Sequence, residues 1–233
     1  MCGRFALATP VAEIAADYFG IGGLDATDHG ISFNIAPGRA IATLRAGEHG
    51  APECSWARWG FRPRWADRQA PQPINARAEK AASSRYFREA FAHRRCLIPA
   101  SGWYEWRQEN GTKQPHYITL TADAADSVLL LAGLWEPLDD PPGACCAVLT
   151  EPAAPALAAI HPRQPVVLDP ACRWQWLSPE HTTRDAVRRA ARRLPTARLR
   201  YWPISTAVNR PQNDGEELLQ PERAAIDGLR ATE

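Results

Sequence analysis

Apolar residues recur at helical spacing in four stretches of the chain, and this periodicity predicts four helices. In the first stretch, Thr9 is the expected N-cap, Pro10 the first helical residue and Gly20 the residue that ends the helix. The other three stretches are SSRYFREAFAHRR (83–95), DPACRWQWL (169–177) and TTRDAVRRAARRL (182–194).

Apolar and polar residues alternate, or apolar residues run together, through most of the remaining sequence, which is typical of strands. In ISFNIAPGRAIATLR (31–45) the Pro-Gly pair predicts a turn between two strands, and CSWARWGFRPRW (54–65) alternates again. Further strands are predicted in RCLIPASGWYEWR, QPHYITLT, SVLLLAGLWEPL, ACCAVLT, QPVVLDP and LRYWPIS. Strands therefore dominate the predicted fold.

No repeat, linker or low-complexity break divides the sequence. We therefore expect one α+β domain over residues 1–222, with a largely antiparallel, curled, barrel-like β-core flanked by helices. The last segment is acidic, since residues 211–233 contain six Asp or Glu against two Lys or Arg. Residues 223–233 are predicted to form a loose tail.

The basic residues are clustered. The formal net charge is only +1, but residues 54–107 contain eleven Lys or Arg against four Asp or Glu, an excess of seven. A GC-rich genome explains why arginine outnumbers lysine, whereas the clustering is typical of a face that binds a polyanion. Nine tryptophans, partly interleaved with arginine in WGFRPRW, fit stacking against single-stranded nucleic acid, although Trp56 and Trp59 fit a buried core equally well.

Several classes of protein are excluded. No run approaches the roughly 20 apolar residues of a transmembrane helix, and no secretory signal is visible, so we expect a cytoplasmic protein without membrane attachment. The six cysteines lack CxxC spacing, so we expect no metal and no cofactor, and a reducing cytosol disfavours disulfides. Nothing in the sequence demands a dimer, and a monomer is expected.

The opening MCGRF places Cys2 directly behind the initiator methionine. Methionine aminopeptidases remove Met1 before small side chains, which would leave Cys2 with an amine and a thiol on adjacent carbons. An α-amine has a reference pKa of about 7.7–8.0, against about 10.4 for lysine, so it is a better nucleophile toward carbonyls at pH 7. With an aldehyde it forms an imine, which the thiol can close into a thiazolidine. The alternative is an ordinary buried cysteine.

Two further residues are candidates for proton transfer. Glu105 lies among aromatic residues in GWYEW, and strand alternation places it on the same face as Trp103, where desolvation would raise its pKa. The alternative is a solvent-facing glutamate on an edge strand, paired with Arg107. His161 follows a short helical stretch in AAIHPRQPVVL, where it fits either a proton shuttle or a polar cap.

The stretch PINARAEKAASSRYF combines an asparagine with several cations. Asn75 fits an anchor for a loop or a contact to a polar substrate group. Arg77 and Arg85 are spaced so that a loop and a helix start could hold successive phosphates. The alternative is a set of surface salt bridges with Glu79 and Glu89.

Seven blocks of the sequence resemble, in order, those of the SOS response-associated peptidase (SRAP) family: MCGRF, FNIAPG, WGF.P.W, PINARAE, GWYEW, IHPRQPVVL and NDGEELLQP. The resemblance extends from Cys2 to about Pro221. It implies an α+β domain with an open, barrel-like β-core and a basic groove for single-stranded DNA. It also implies a covalent shield for abasic sites in the DNA damage (SOS) response, in which the Cys2 amine and thiol trap the sugar aldehyde as a thiazolidine.

The resemblance implies roles for individual residues. Glu105 corresponds to a proton shuttle for forming and reversing the crosslink, and His161 to a histidine that assists opening of the sugar ring. Asn75 corresponds to the asparagine that positions the sugar and the terminal amine. DNA contacts are implied for Gly3, Arg4, Pro37, Trp65, Arg77 and Arg85.

One position departs from the resemblance. Many family members have two adjacent tryptophans where this chain has Trp65-Ala66, so the preferred DNA junction is not implied. Self-removal of Met1, a weak lyase activity and association with the nucleoid when DNA is bound are further expectations. Two other functions remain open from the residues alone: a peptidase with Cys2 as N-terminal nucleophile, and a non-covalent binder of single-stranded DNA.

Overall fold

The computed structural model describes residues 2–22, 31–47, 50–109, 111–122, 124, 128–139 and 142–222. The predicted tail, residues 223–233, lies outside the described residues. Helix α1 spans Val11–Phe19 and ends at Gly20, whose φ of 66° is left-handed as predicted. The prediction of Thr9 as N-cap is wrong by one residue: Pro10 is extended (ψ 135°) and its carbonyl accepts the first helical hydrogen bond, from Ile14.

The other α-helices are short. They are α2 (Ala78–Ala81), α3 (Arg88–His93), α4 (Pro155–Ala158), α5 (Arg173–Leu177) and α6 (Arg184–Ala190). The predicted serine-capped helix begins later than expected, because the segment after Ser84 first makes a turn in which the serine hydroxyl accepts from the amide of Tyr86. Thr183 caps α6 by accepting from the amide of Ala186.

Thirteen strands are described. They are β1 (Phe5–Leu7), β2 (Ser32–Ile35), β3 (Ala40–Ala46), β4 (Pro52–Trp59), β5 (Asn75–Arg77), β6 (Arg95–Ala100), β7 (Gly102–Glu109), β8 (Thr112–Leu120), β9 (Leu129–Asp139), β10 (Pro142–Pro152), β11 (Arg163–Pro165), β12 (Val167–Leu168) and β13 (Leu199–Pro203). One sheet has the order β13-β8-β7-β1-β2, and the other has the order β11-β10-β4-β3-β6-β9-β12 with β5 beside β10.

The second sheet closes into a barrel, because β10 pairs with both β4 and β9. The five strands of the barrel are β10, β4, β3, β6 and β9. Most pairings are antiparallel, but β10 runs parallel to β4 and to β5. The expected α+β fold with a curled, largely antiparallel β-core is therefore confirmed, and the barrel is mixed.

The first sheet brings the start of the chain to the barrel. Strand β1 lies between β2 and β7, all antiparallel. Phe5 packs against Trp59, with their ring centroids 5.2 Å apart, and both residues belong to a core cluster that includes Cys2 and Trp103. The tryptophans of CSWARWGFRPRW differ in burial: Trp59 is fully buried, whereas Trp56 is 37% exposed and Trp65 is 57% exposed. No described helix is long and apolar enough to cross a membrane.

Candidate active site

Cys2 lies just before β1 and its side chain is completely buried, with 0% exposure. The side-chain amide of Asn75, on β5, donates to the Cys2 carbonyl at 2.7 Å. The other side-chain atom of Asn75, Oδ1, is buried and has no hydrogen-bond partner among the described residues. Asn75 therefore fixes the backbone at Cys2 and keeps one acceptor available.

The Cys2 thiol is held in its protonated form. Burial raises its pKa well above the ordinary value of 9.0, and the charge of Glu105 raises it further. The Arg4 backbone amide opposes this by hydrogen bonding. Because the thiolate is not preformed, attack by this sulfur requires a base that takes its proton.

Glu105 lies on β7, between β8 and β1, and is only 4% exposed. The alternative of a solvent-facing glutamate on an edge strand is therefore wrong. Burial raises the Glu105 pKa from its ordinary 4.5 to about 7. At neutral pH the side chain can both donate and accept a proton.

His161 follows α4, as the sequence predicts. Its Nδ1 lies 3.0 Å from the amide nitrogen and 2.9 Å from the carbonyl oxygen of Arg163, so the ring is anchored to the backbone two residues later. Burial lowers the His161 pKa, which favours the neutral imidazole at pH 7.

Glu105 and His161 line one opening, whose volume is about 430 Å³. Trp106, Lys113 and Asn209 complete its lining, and the Trp106 indole donates to Asn209 Oδ1 at 2.7 Å. The opening thus combines two groups that can transfer protons with an exposed cation. Together with Cys2 and Asn75, these residues make a site suited to carbonyl chemistry.

The sequence profile of the SOS response associated peptidase (SRAP) family matches residues 1–211. The chain belongs to the SRAP family. It is 34% identical over 229 residues to "Abasic site processing protein YedK" of Escherichia coli, covering 95% of this chain and 100% of that protein. It is 30% identical over 226 residues to "Abasic site processing protein YoqW" of Bacillus subtilis, covering 94% of this chain and 99% of that protein.

The fold is shared with a solved structure. A crystal structure of a protein from Bacteroides thetaiotaomicron superposes with a TM-score of 0.82 at 18% identity, covering 95% of this chain and 100% of that one. At this identity the likeness concerns the fold. It supports the single α+β architecture of this SRAP chain.

Arg163 is a site residue of this SRAP chain that sequence reasoning missed. Its guanidinium binds both carboxylate oxygens of Glu79, at 2.9 and 3.0 Å, and the carbonyl of Thr150 at 2.7 Å. The same residue anchors His161 through its backbone. Its place in the IHPRQPVVL block, two residues after the histidine, was the available signal.

Asn34, in the FNIAPG block, was also missed. It is 4% exposed, and its side-chain amide donates to the carbonyls of Val208, Arg210 and Asn213 at 3.2, 3.0 and 2.7 Å. Its Oδ1 accepts from Arg4 Nη1 at 2.7 Å. We call this arrangement the Asn34 clasp, because it ties the segment around residues 208–213 to the strands that lead to Cys2.

The residues implied as DNA contacts fall into four places. Gly3 and Arg4 adjoin Cys2, but Arg4 Nη1 is engaged within the protein, with Asn34 and with the Val208 carbonyl at 2.8 Å. Pro37 is exposed in the turn between β2 and β3. Arg77 is exposed at the end of β5, two residues from Asn75.

Trp65 and Arg85 form the fourth place. Trp65 is 57% exposed, and the Arg85 guanidinium lies 4.9 Å from the centre of its ring. Glu79 pairs with Arg163, and neither Arg77 nor Arg85 has an ion pair within 4.0 Å among the described residues, although the charge of Arg77 contributes to the lowered pKa of Glu79. Both cations therefore stay available for a DNA contact, which remains a prediction.

Proposed function

We propose that this protein binds abasic sites in single-stranded DNA and crosslinks to them covalently through Cys2 once Met1 has been removed. Its curated relatives are named abasic site processing proteins. An abasic deoxyribose opens to an aldehyde at C1′, which is the group that a terminal amine and thiol can trap together. The observation that carries the proposal is the burial of Cys2 beside Glu105, the charge of which raises the thiol pKa.

In the first step the neutral amine of Cys2 attacks C1′ and gives a carbinolamine. Protonated Glu105 then donates a proton to the carbinolamine hydroxyl, water leaves, and a protonated imine forms beside the ionised Glu105. A pKa of about 7 leaves a substantial protonated fraction of Glu105 at neutral pH for this role. His161, with its lowered pKa, is suited to accept the proton of the C1′ hydroxyl as the sugar ring opens.

In the second step the Cys2 sulfur adds to the imine carbon. Glu105, now ionised, takes the thiol proton, and the sulfur bonds to the carbon of the protonated imine, whose nitrogen becomes the neutral secondary amine of the thiazolidine ring. The net change is a new C–N bond, a new C–S bond and the loss of one water. The raised thiol pKa fits this order, because sulfur attacks only when a base is ready beside it.

The exposed cations support binding of the surrounding strand. Arg77 and Arg85 have no ion pairs among the described residues. The exposed Trp65 offers an aromatic face for an unpaired base. We include in the proposal that Glu105 can also catalyse the reverse reaction, and that an untrapped imine permits weak strand cleavage by β-elimination.

The test is intact-mass spectrometry before and after incubation with a single-stranded oligonucleotide that carries one abasic site. The expected result is protein without Met1 that gains the oligonucleotide mass less one water. Cys2→Ser keeps the amine but has no thiol to add to the imine. It should therefore give a less stable adduct and more strand cleavage.

Cys54→Ala is the matched control, because Cys54 is the one partly exposed cysteine of the six and lies on β4. It should crosslink like the wild type. Processed protein that gains no oligonucleotide mass refutes the proposal and favours the peptidase or the non-covalent binder. An equally stable adduct with Cys2→Ser refutes the thiazolidine.

A further inference from the structure

We infer that Lys113 binds a backbone phosphate next to the abasic sugar, and so fixes the flanking strand at the mouth of the site. The inference rests on the proposed function. It adds a DNA contact on β8, outside the block of residues 54–107, which holds eleven of the 27 Lys and Arg residues.

Lys113 is placed at the mouth by its position along β8, although strand alternation puts its side chain on the opposite face of the sheet from that of Glu105. It lies on β8 opposite Gln108 of β7, three pairs along from the pair of Glu105 and His116. Its side chain is exposed and lines the same opening as Glu105 and His161. A group bound in that opening therefore has Lys113 at its edge.

Lys113 is also an uncommitted cation. Its side chain makes no hydrogen bond, ion pair or aromatic contact with any residue in the described part of the chain. The neighbouring arginines differ, because Arg163 is bound to Glu79 and Thr150, and Arg4 to Asn34 and the Val208 carbonyl. An anionic group at this rim can therefore bind Lys113 without displacing a contact within the protein.

The chemical groups next to the bound sugar determine what Lys113 can contact. An abasic deoxyribose has lost its base, but it retains a phosphate on each side. An abasic sugar that enters this opening toward Glu105 and His161 carries at least one of these phosphates at the rim. A lysine ammonium on a flexible stem, with three donors, suits a phosphate whose position changes as the sugar ring opens.

The test measures single-turnover crosslinking against protein concentration, with a short single-stranded oligonucleotide that carries one abasic site, at several NaCl concentrations. Lys113→Gln should raise the half-saturating concentration about two- to fivefold, as expected for one partly exposed ion pair. It should also reduce the slope of log affinity against log salt by about 0.7, the value for one phosphate on a single strand. The effect falls on half-saturation rather than on the limiting rate.

Two variants complete the design. Lys113→Arg keeps the charge and should restore both affinity and salt slope. Arg189→Ala removes an exposed cation from α6 and should leave both unchanged, which controls for loss of net charge.

The outcomes separate this inference from the proposed function. No adduct with wild-type protein refutes the proposed function itself. Wild-type crosslinking with an unchanged half-saturation and salt slope in Lys113→Gln refutes only the phosphate contact. Borohydride trapping of the abasic sugar on Lys113 also overturns it, since the lysine would then act as an amine nucleophile.

Discussion

Replacing Glu105 with glutamine should stabilise the protein at alkaline pH while it slows crosslinking. The carboxyl group is 4% exposed, and burial is the largest cause of its raised pKa. A buried carboxylate is less stable than the same group in water, so the folded protein loses stability when Glu105 ionises. Glutamine has nearly the same shape and cannot ionise.

The magnitude follows from the pKa. The value rises from 4.5 in the unfolded chain to about 7 in the folded protein. At about 1.4 kcal/mol for each pH unit, ionisation of Glu105 costs the folded protein about 3 kcal/mol. The relative stability of Glu105→Gln should therefore increase by that amount across the titration.

The sign fixes the pH window. A folded pKa above the unfolded one means that the folded state binds the proton more tightly. The stability associated with protonated Glu105 is fully present below pH 4.5 and is lost as the pH rises through about 7. The two proteins should thus differ least near pH 4.5 and most near pH 8.

The assay is urea denaturation of both proteins at half-unit steps from pH 4.5 to pH 8.5. Glu109→Gln is the matched control, because it removes a partly exposed carboxylate from the same strand. If the difference in unfolding free energy between wild type and Glu105→Gln is constant over this range, Glu105 is not a buried carboxyl group with a raised pKa. In the crosslinking assay, Glu105→Gln should lose about 10²- to 10⁴-fold in rate, as for other general acid–base groups.

Three further substitutions test the scaffold. Asn34→Ala should lower the unfolding free energy by about 3 kcal/mol in urea, because it removes three side-chain hydrogen bonds to backbone carbonyls and the acceptor of Arg4 Nη1. Gly102→Ala should lower the melting temperature and cost about 2 kcal/mol, since the added Cβ would lie 2.4 Å from the Tyr117 ring, a distance that requires repacking. Arg163→Met should raise the pKa of Glu79, because hydrogen bonding to the Arg163 guanidinium is the main cause that holds this pKa below its ordinary value. The measurement is an NMR titration of Glu79. An unchanged pKa would contradict the pairing of Arg163 with Glu79.

Local pattern was sufficient to predict much of the site. The alternation of GWYEW correctly put Trp103 and Glu105 together, and both line one small cavity with His161. The turn and left-handed Gly20 after α1 were also readable, because glycine adopts positive φ at little cost. These features depend on neighbours in sequence.

What could not be predicted depends on contacts between distant segments. The parallel pairs of β10 with β4 and β5, which close the barrel and present Asn75, follow from how strands meet in space. The same holds for Arg163, whose carboxylate partner Glu79 is 84 residues away. Alternation also does not tell which of Trp56 and Trp59 faces the core when both faces of β4 carry aromatic residues.

The late block NDGEELLQP supports the site from a distance. Asp214 accepts hydrogen bonds from the Ser32 hydroxyl at 2.9 Å and the Phe33 amide at 2.5 Å, next to Asn34. Through the Asn34 clasp, Arg4 is then held two residues beyond Cys2, while Asn75 holds the Cys2 carbonyl from the other side.

Cys2, the residue that we propose as the nucleophile, is thus fixed by side chains on both flanks. A terminal residue would otherwise be among the most mobile in a protein. Ordering it in advance removes an entropic cost that the reaction would otherwise bear, which favours attack on a bound aldehyde. We therefore expect residues more than 200 positions away to support the proposed chemistry at Cys2 by ordering the segment around it.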